Sequence, residues 1–119
     1  MKPSCYIAGP MRGYPQLNFP AFFQAEKQLT KLGWKVYNPA RMDREHPLKS
    51  PAYGPAECRQ FAQRDLNVVT RVLHAERGDA LIMLPGWKKS MGARAENAAA
   101  RWVGLRRVTL RRALREGKV

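Results

Sequence analysis

Three residues of this sequence have types and surroundings that could do chemistry together: Tyr6, Asp65 and Glu96. The run Ala80-Leu81-Ile82-Met83-Leu84 ends at Pro85-Gly86-Trp87, and Ser90-Met91-Gly92 then opens a helix that carries Glu96. On a helical wheel Glu96 shares its face with Gly92, Ala93, Ala99, Ala100 and Val103, while Asn97 and Arg101 point away. Asp65 repeats the pattern within an apolar arc of Cys58, Phe61, Ala62, Val68, Val69, Val72 and Leu73. A carboxylate on an apolar face is costly to bury unpaired, so each needs a structural partner or a use. The structural alternatives are a buried cap or an ion pair with Arg64 or Arg12 for Asp65, and a salt bridge to a neighbouring arginine for Glu96. As a pair, two inward carboxyls suit acetal chemistry: one attacks the anomeric carbon, the other manages the leaving group's proton. Tyr6, read as the end of the first strand, could orient such a nucleophile through its hydroxyl.

An anion site is the second candidate. The loop Gly9-Pro10-Met11-Arg12-Gly13 is neither a dinucleotide fingerprint nor a P-loop, and its glycines serve a tight turn equally well. Ser90 and Gly92 stand at a helix N-terminus, where backbone N–H groups and the helix dipole favour negative charge.

These residues need a scaffold, and the chain punctuates itself as an α/β fold. Ser4–Ala8 is short, apolar and stopped by Gly9-Pro10, as a central strand should be. Asn18 can cap a helix with Pro20 in its first turn, running through Phe22, Phe23, Ala25 and Leu29 to a stop at Gly33. Trp34 to Tyr37 is a second strand ended by Asn38-Pro39, so strand, helix and strand form a right-handed parallel unit. Residues 41–54 lack periodicity and are expected to form a lid loop; its lone His46 receives no role. A long helix is expected from Pro55 to about Arg77. At roughly 30 Å it outreaches strands of roughly 17–20 Å, so its first turns overhang the rim where Asp65 sits. Ala80–Leu84 reads as a strand buried on both faces, Leu105 to Leu110 as a fourth, and the basic tail as helical. The expected architecture is a three-layer α/β/α sandwich of the flavodoxin-like or Rossmann-like kind, with four to five parallel strands. Such sheets bind ligands beside the carboxyl ends of their strands, where both carboxylates are expected.

Bulk properties fit one domain over 1–119 with no linker and no repeats. No apolar run approaches bilayer length and no signal-peptide pattern opens the chain, so a cytoplasmic location is expected. Cys5 and Cys58 are too far apart to form a C-x-x-C pair; both read as reduced thiols, and no metal or other cofactor is expected. The charge is unusual: 22 Lys+Arg against 9 Asp+Glu give +13, which favours anionic partners. Aromatics are absent after Trp102, so nucleic acid is expected only as a weak electrostatic contact.

With these residues in place, the sequence resembles the nucleoside 2-deoxyribosyltransferase superfamily, including its small phage-type members and the 2'-deoxynucleoside 5'-monophosphate N-glycosidases. Tyr6-Ile7-Ala8-Gly9-Pro10-Met11-Arg12-Gly13, Asp65-Leu66, Asp79-Ala80-Leu81-Ile82 and Ser90-x-Gly92-x-x-x-Glu96 carry the likeness. The resemblance implies cleavage of the N-glycosidic bond of a 2'-deoxynucleoside or its monophosphate. It makes Glu96 the nucleophile at C1', Asp65 the proton donor to the departing base, and Tyr6 the residue that positions Glu96. Six residues before the nucleophile the transferases carry an aspartate, whereas Ser90 here matches the monophosphate hydrolases, which use that serine on the 5'-phosphate. A carboxylate would repel phosphate; a hydroxyl can donate to it. Arg12 and the amides of Gly9, Met11, Gly13 and Gly92 would complete the anion site. Members of the superfamily commonly build sites across a dimer, so a homodimer or higher homo-oligomer is expected, to which Trp87 or Trp102 could contribute. Two rival readings remain: a non-catalytic nucleotide sensor on the same fold, and a basic protein associated with nucleic acid.

Overall fold

A computed structural model describes residues 2–45 and 55–119. Four parallel strands, β1 (Ser4–Ala8), β2 (Lys35–Tyr37), β3 (Ala80–Met83) and β4 (Arg106–Thr109), lie in the order β2-β1-β3-β4. This is the flavodoxin-like order through its first four strands. Register pairs Tyr6 with Tyr37 on one side and Leu81 on the other, and Met83 with Ala8 and Thr109. The helices are α1 (Phe19–Lys31), α2 (Pro39–Glu45), α3 (Pro55–Asn67), α4 (Met91–Trp102) and α5 (Leu110–Glu116).

Strand alternation divides the core. Cys5, Ile7, Ala80, Ile82 and Val108 point to one face, where Phe22, Ala25 and Leu29 of α1 and Ala113 of α5 cover them. Tyr6, Ala8, Leu81 and Met83 point to the other, against Val68, Val69, Leu73 and the α4 residues Ala93 and Ala100. The result is the expected three-layer sandwich. Successive strand residues face opposite ways, so Tyr6 is committed to the α4 layer once Cys5 and Ile7 enter the α1 layer.

Four local expectations are corrected. First, residues 41–45 are helical. Asn38 Oδ1 accepts from Ala40 N–H at 2.9 Å, and Pro39 occupies the first helical position, so the pair that stops β2 also starts α2. The rest of the expected lid, 46–54 with His46, lies outside the described residues. Second, the helix from Pro55 is not continuous to Arg77. After Asn67 the winding widens into a π segment, Val68–Val72, closed by Leu73 N–H to Val68 C=O at 3.0 Å, and Leu73 is extended. The wider turn lets the adjacent Val68 and Val69 both enter the core. Third, Asn18 does not cap α1 through its side chain. It sits in the left-handed region (φ 60°) and its Nδ2 donates to Pro10 C=O at 2.9 Å, tying the loop after β1 to the start of α1. Gln16 and Leu17 before it are also left-handed, at φ 54° and 53°. Fourth, Tyr6 is mid-strand in β1, not at its end.

Candidate active site

Two helices and a strand bring the three chemical residues together. Tyr6 Oη donates to Glu96 Oε2 at 2.6 Å across 90 residues of sequence. Ser90 caps α4 by accepting from Ala93 N–H at 3.1 Å, which fixes where the helix starts and hence that Glu96 falls on the buried face with Ala93 and Ala100. Gly92 and Val103, expected on that face, are exposed. Asp65 reaches the same place from α3. That helix has no fully buried residue, as expected of an element overhanging the rim, and its Cys58, Phe61 and Asp65 line a cavity with Tyr6 and Glu96.

The cavity has a volume of about 680 Å³ and sits at the carboxyl ends of β1 and β3. Its walls take in Gly9, Met11, Arg12, Ser90 and Gly92 of the expected anion site; Gly13 is not on them. Gly13 occupies a turn at φ +83°. Gly9 is spatially required: a Cβ there would stand 2.9 Å from the Leu84 side chain, so this loop presses directly on the end of β3. Arg12 Nη2 donates to Cys58 Sγ at 2.9 Å, reaching from the loop to α3. The Ser90 hydroxyl, already an acceptor for Ala93, keeps a proton to donate.

Burial dominates the electrostatics. It pushes Glu96 up to about 8; the Tyr6 hydrogen bond opposes this, the Asp65 charge adds to it, and Arg64 opposes it. Asp65 is also raised, first by burial, against the Arg64 hydrogen bond and charge and the polar influence of the Tyr6 hydroxyl. The phenol of Tyr6 is driven well above its usual range by burial and by both carboxylates, so it remains a donor. The Tyr6 hydroxyl thus bears on both acids, and the charge of Asp65 disfavours ionisation of Glu96. A retaining pathway needs an ionised nucleophile beside a protonated acid. Burial favours the neutral form of both carboxyls, and of Glu96 most plainly, which is the residue that the resemblance makes the nucleophile.

The structural partner expected as an alternative for Asp65 is present as well. Arg64 Nε donates to Asp65 Oδ1 at 2.7 Å, and Arg64 Nη1 pairs with Asp43 Oδ1 at 2.7 Å. This ion pair lies at the cavity and leaves Asp65 beside Tyr6. Asp43, Tyr14 and Lys89 are cavity residues that sequence reasoning missed. Asp43 was legible: Asn38-Pro39 is a helix-start signal as much as a strand stop. Nothing in the sequence marks Tyr14, whose hydroxyl would stand 2.7 Å from a Cβ at Gly86. Among the described residues, no three His, Cys, Asp or Glu side chains gather so as to hold a metal ion. Among them also, no helix is long and apolar enough to cross a membrane.

No curated protein matches the sequence. A family profile described as "Domain of unknown function (DUF4406)" matches residues 3–109, from the start of β1 to the end of β4 with all three chemical residues inside it, and the chain belongs to that family.

Proposed function

We propose that this protein cleaves the N-glycosidic bond of a 2'-deoxynucleoside or its 5'-monophosphate through a covalent glycosyl intermediate on Glu96. One observation carries the reading: Tyr6 Oη holds Glu96 Oε2 at 2.6 Å inside a cavity that Asp65 also lines. In the first step the Glu96 carboxylate bonds to C1', the C1'–N bond breaks with its electrons passing to the base, and the Asp65 proton goes to that base. In the second, the Asp65 carboxylate takes a proton from water or from an incoming base, which attacks C1' and releases Glu96. A deoxyribose lacks the 2-hydroxyl, so its oxocarbenium-like transition state needs little beyond two carboxyls. Ser90, Arg12 and Lys89 on the cavity wall suit a 5'-phosphate. Passing the sugar to a base instead of water would require excluding water from this cavity.

The outer face of α4 supports a homodimer. Met91 and Trp102 are 86% and 90% exposed, Ala95 and Ala98 between them are exposed, and the four fall on one stripe opposite the buried face. Met91 and Ala95 also edge the cavity, so a second subunit on this stripe would border the site.

Incubation with each deoxynucleoside and deoxynucleoside monophosphate, followed by chromatography for free base, tests the reading. Glu96→Gln is expected to lose at least about a thousandfold in turnover, in line with removal of a nucleophile, while still binding substrate. Full activity in that variant would overturn the mechanism. A second reading, a nucleotide sensor without turnover, draws support from the raised Glu96, since a neutral carboxyl can donate to a sugar oxygen. Nucleotide binding with no base release by the unaltered protein would favour it.

A further inference from the structure

Arg64 stands between two carboxylates contributed by different helices. Its Nε donates to Asp65 Oδ1 on its own helix, and its Nη1 lies 2.7 Å from Asp43 Oδ1 on α2. All three side chains are largely covered, at 28% exposure for Arg64, 13% for Asp65 and 16% for Asp43. The guanidinium also lies over the Phe61 ring, 5.3 Å from its centroid, so its plane is held from a third direction. The Asp43 contact joins opposite charges at a carboxylate that is itself largely covered, and Arg64 works against the rise that burial imposes on Asp43.

This bridge resolves a conflict in the proposed chemistry. An acid that protonates a leaving base must carry its proton on the oxygen that faces the base. Arg64 can only donate, so the oxygen it touches must accept, and the proton of neutral Asp65 is directed to Oδ2. An arginine in contact with one carboxylate would ordinarily hold it ionised, however. A second carboxylate on the same guanidinium shares that charge.

We propose that Asp43 is a positioning residue for Asp65: it anchors Arg64 from α2, so that Arg64 orients the Asp65 proton without fixing that carboxyl as an anion. The charged and titratable groups around Asp65 are Arg64 on its own helix, Asp43 from α2, Tyr6 from β1, Glu96 from α4, and Arg12 and Lys89 on the cavity wall. Asp43 and Asp65 each lie above the usual carboxylate range, through burial first, with the Asp65 charge adding to Asp43.

The proposal rests on the N-glycosidase reading for the destination of the proton, not for the coupling itself. The test is Asp43→Asn, with the Asp65 carboxyl followed by carbon-13 NMR in protein labelled at aspartate. Base release is measured from 2'-deoxyadenosine 5'-monophosphate and from an aryl 2-deoxyribofuranoside whose phenolate departs without a proton. In the variant, Asp65 is expected to titrate at least about one pH unit lower, and turnover of the deoxynucleotide at neutral pH to fall about tenfold with KM little changed. The aryl substrate should keep most of its rate. Arg64→Gln added to Asp43→Asn removes the unshared cation and should return the Asp65 titration upward. An unmoved Asp65 titration in Asp43→Asn, or a parallel fall with both substrates, overturns the proposal. Should the unaltered protein release nothing from either substrate, the glycosidase reading fails while the titration still decides the coupling.

Discussion

Glu96 is the residue on which the proposed activity and the stability of the fold pull apart. A carboxyl whose folded pKa lies at about 8, against 4.5 unfolded, supports the fold while protonated and ceases to as pH rises through the folded value. Its contribution is therefore complete below about pH 4.5 and lost progressively up to about pH 8. Each unit is worth about 1.4 kcal/mol, so the loss amounts to several kcal/mol. Glu96→Gln cannot ionise, and it is expected to be more stable than the unaltered protein at pH 8 by a few kcal/mol, with the gap closing towards pH 5. Thermal unfolding at the two pH values checks this; a gap independent of pH would mean that Glu96 is not buried as described. The proposed reaction needs one proton on the Asp65–Glu96 pair, so kcat/KM should follow a bell whose alkaline limb lies near pH 8 and whose acid limb lies above the usual aspartate value. The sequence gives away Asp65 and Glu96 because helical periodicity exposes any charge on an apolar face. It conceals their ionisation, because that depends on how deeply each is covered and on which arginine reaches it.

Elements were legible wherever their ends carry chemistry that acts locally. Gly9-Pro10 after β1, Gly33 after α1 and Ser90 before α4 all mark real boundaries. The π segment at Val68–Val72 was not legible, since its cause is tertiary: two adjacent valines both find core space opposite Tyr6 and Leu81. The loop between β1 and α1 was misjudged for the opposite reason. Asn18 carries the right residue type for a helix cap but spends its side chain on Pro10 C=O. It also stands third in a run of left-handed residues, a conformation that asparagine tolerates better than most. Asn18→Ala removes both the hydrogen bond and that tolerance, and is expected to cost about 1–2 kcal/mol of stability. Because the same loop carries Gly9, Met11 and Arg12 on the cavity wall, KM should rise more than kcat falls. Denaturant unfolding and steady-state kinetics on the one variant measure both.

At the scale of the molecule the surplus of positive charge has a kinetic meaning. On the proposed reading, a field of this sign would draw a phosphorylated substrate towards a cavity bordered by Arg12 and Lys89. Raising salt from about 50 to about 300 mM should lower kcat/KM for a deoxynucleoside monophosphate several-fold and leave the uncharged deoxynucleoside nearly unchanged, because screening acts only on the charged encounter. Equal salt sensitivity for both would remove the field from the account. The two outermost strands give the charge a further use. β2 presents Lys35, and β4 presents Arg106 towards α5, where it pairs with Glu116, and Arg107 towards α4, where it reaches Asn97 at 3.2 Å. Among the described residues no further strand covers either border of the sheet, and each border is fringed with cations that any second copy must approach with cations of its own. Self-assembly of this protein by extending its sheet is thereby discouraged, which leaves contacts between copies to the helical layers.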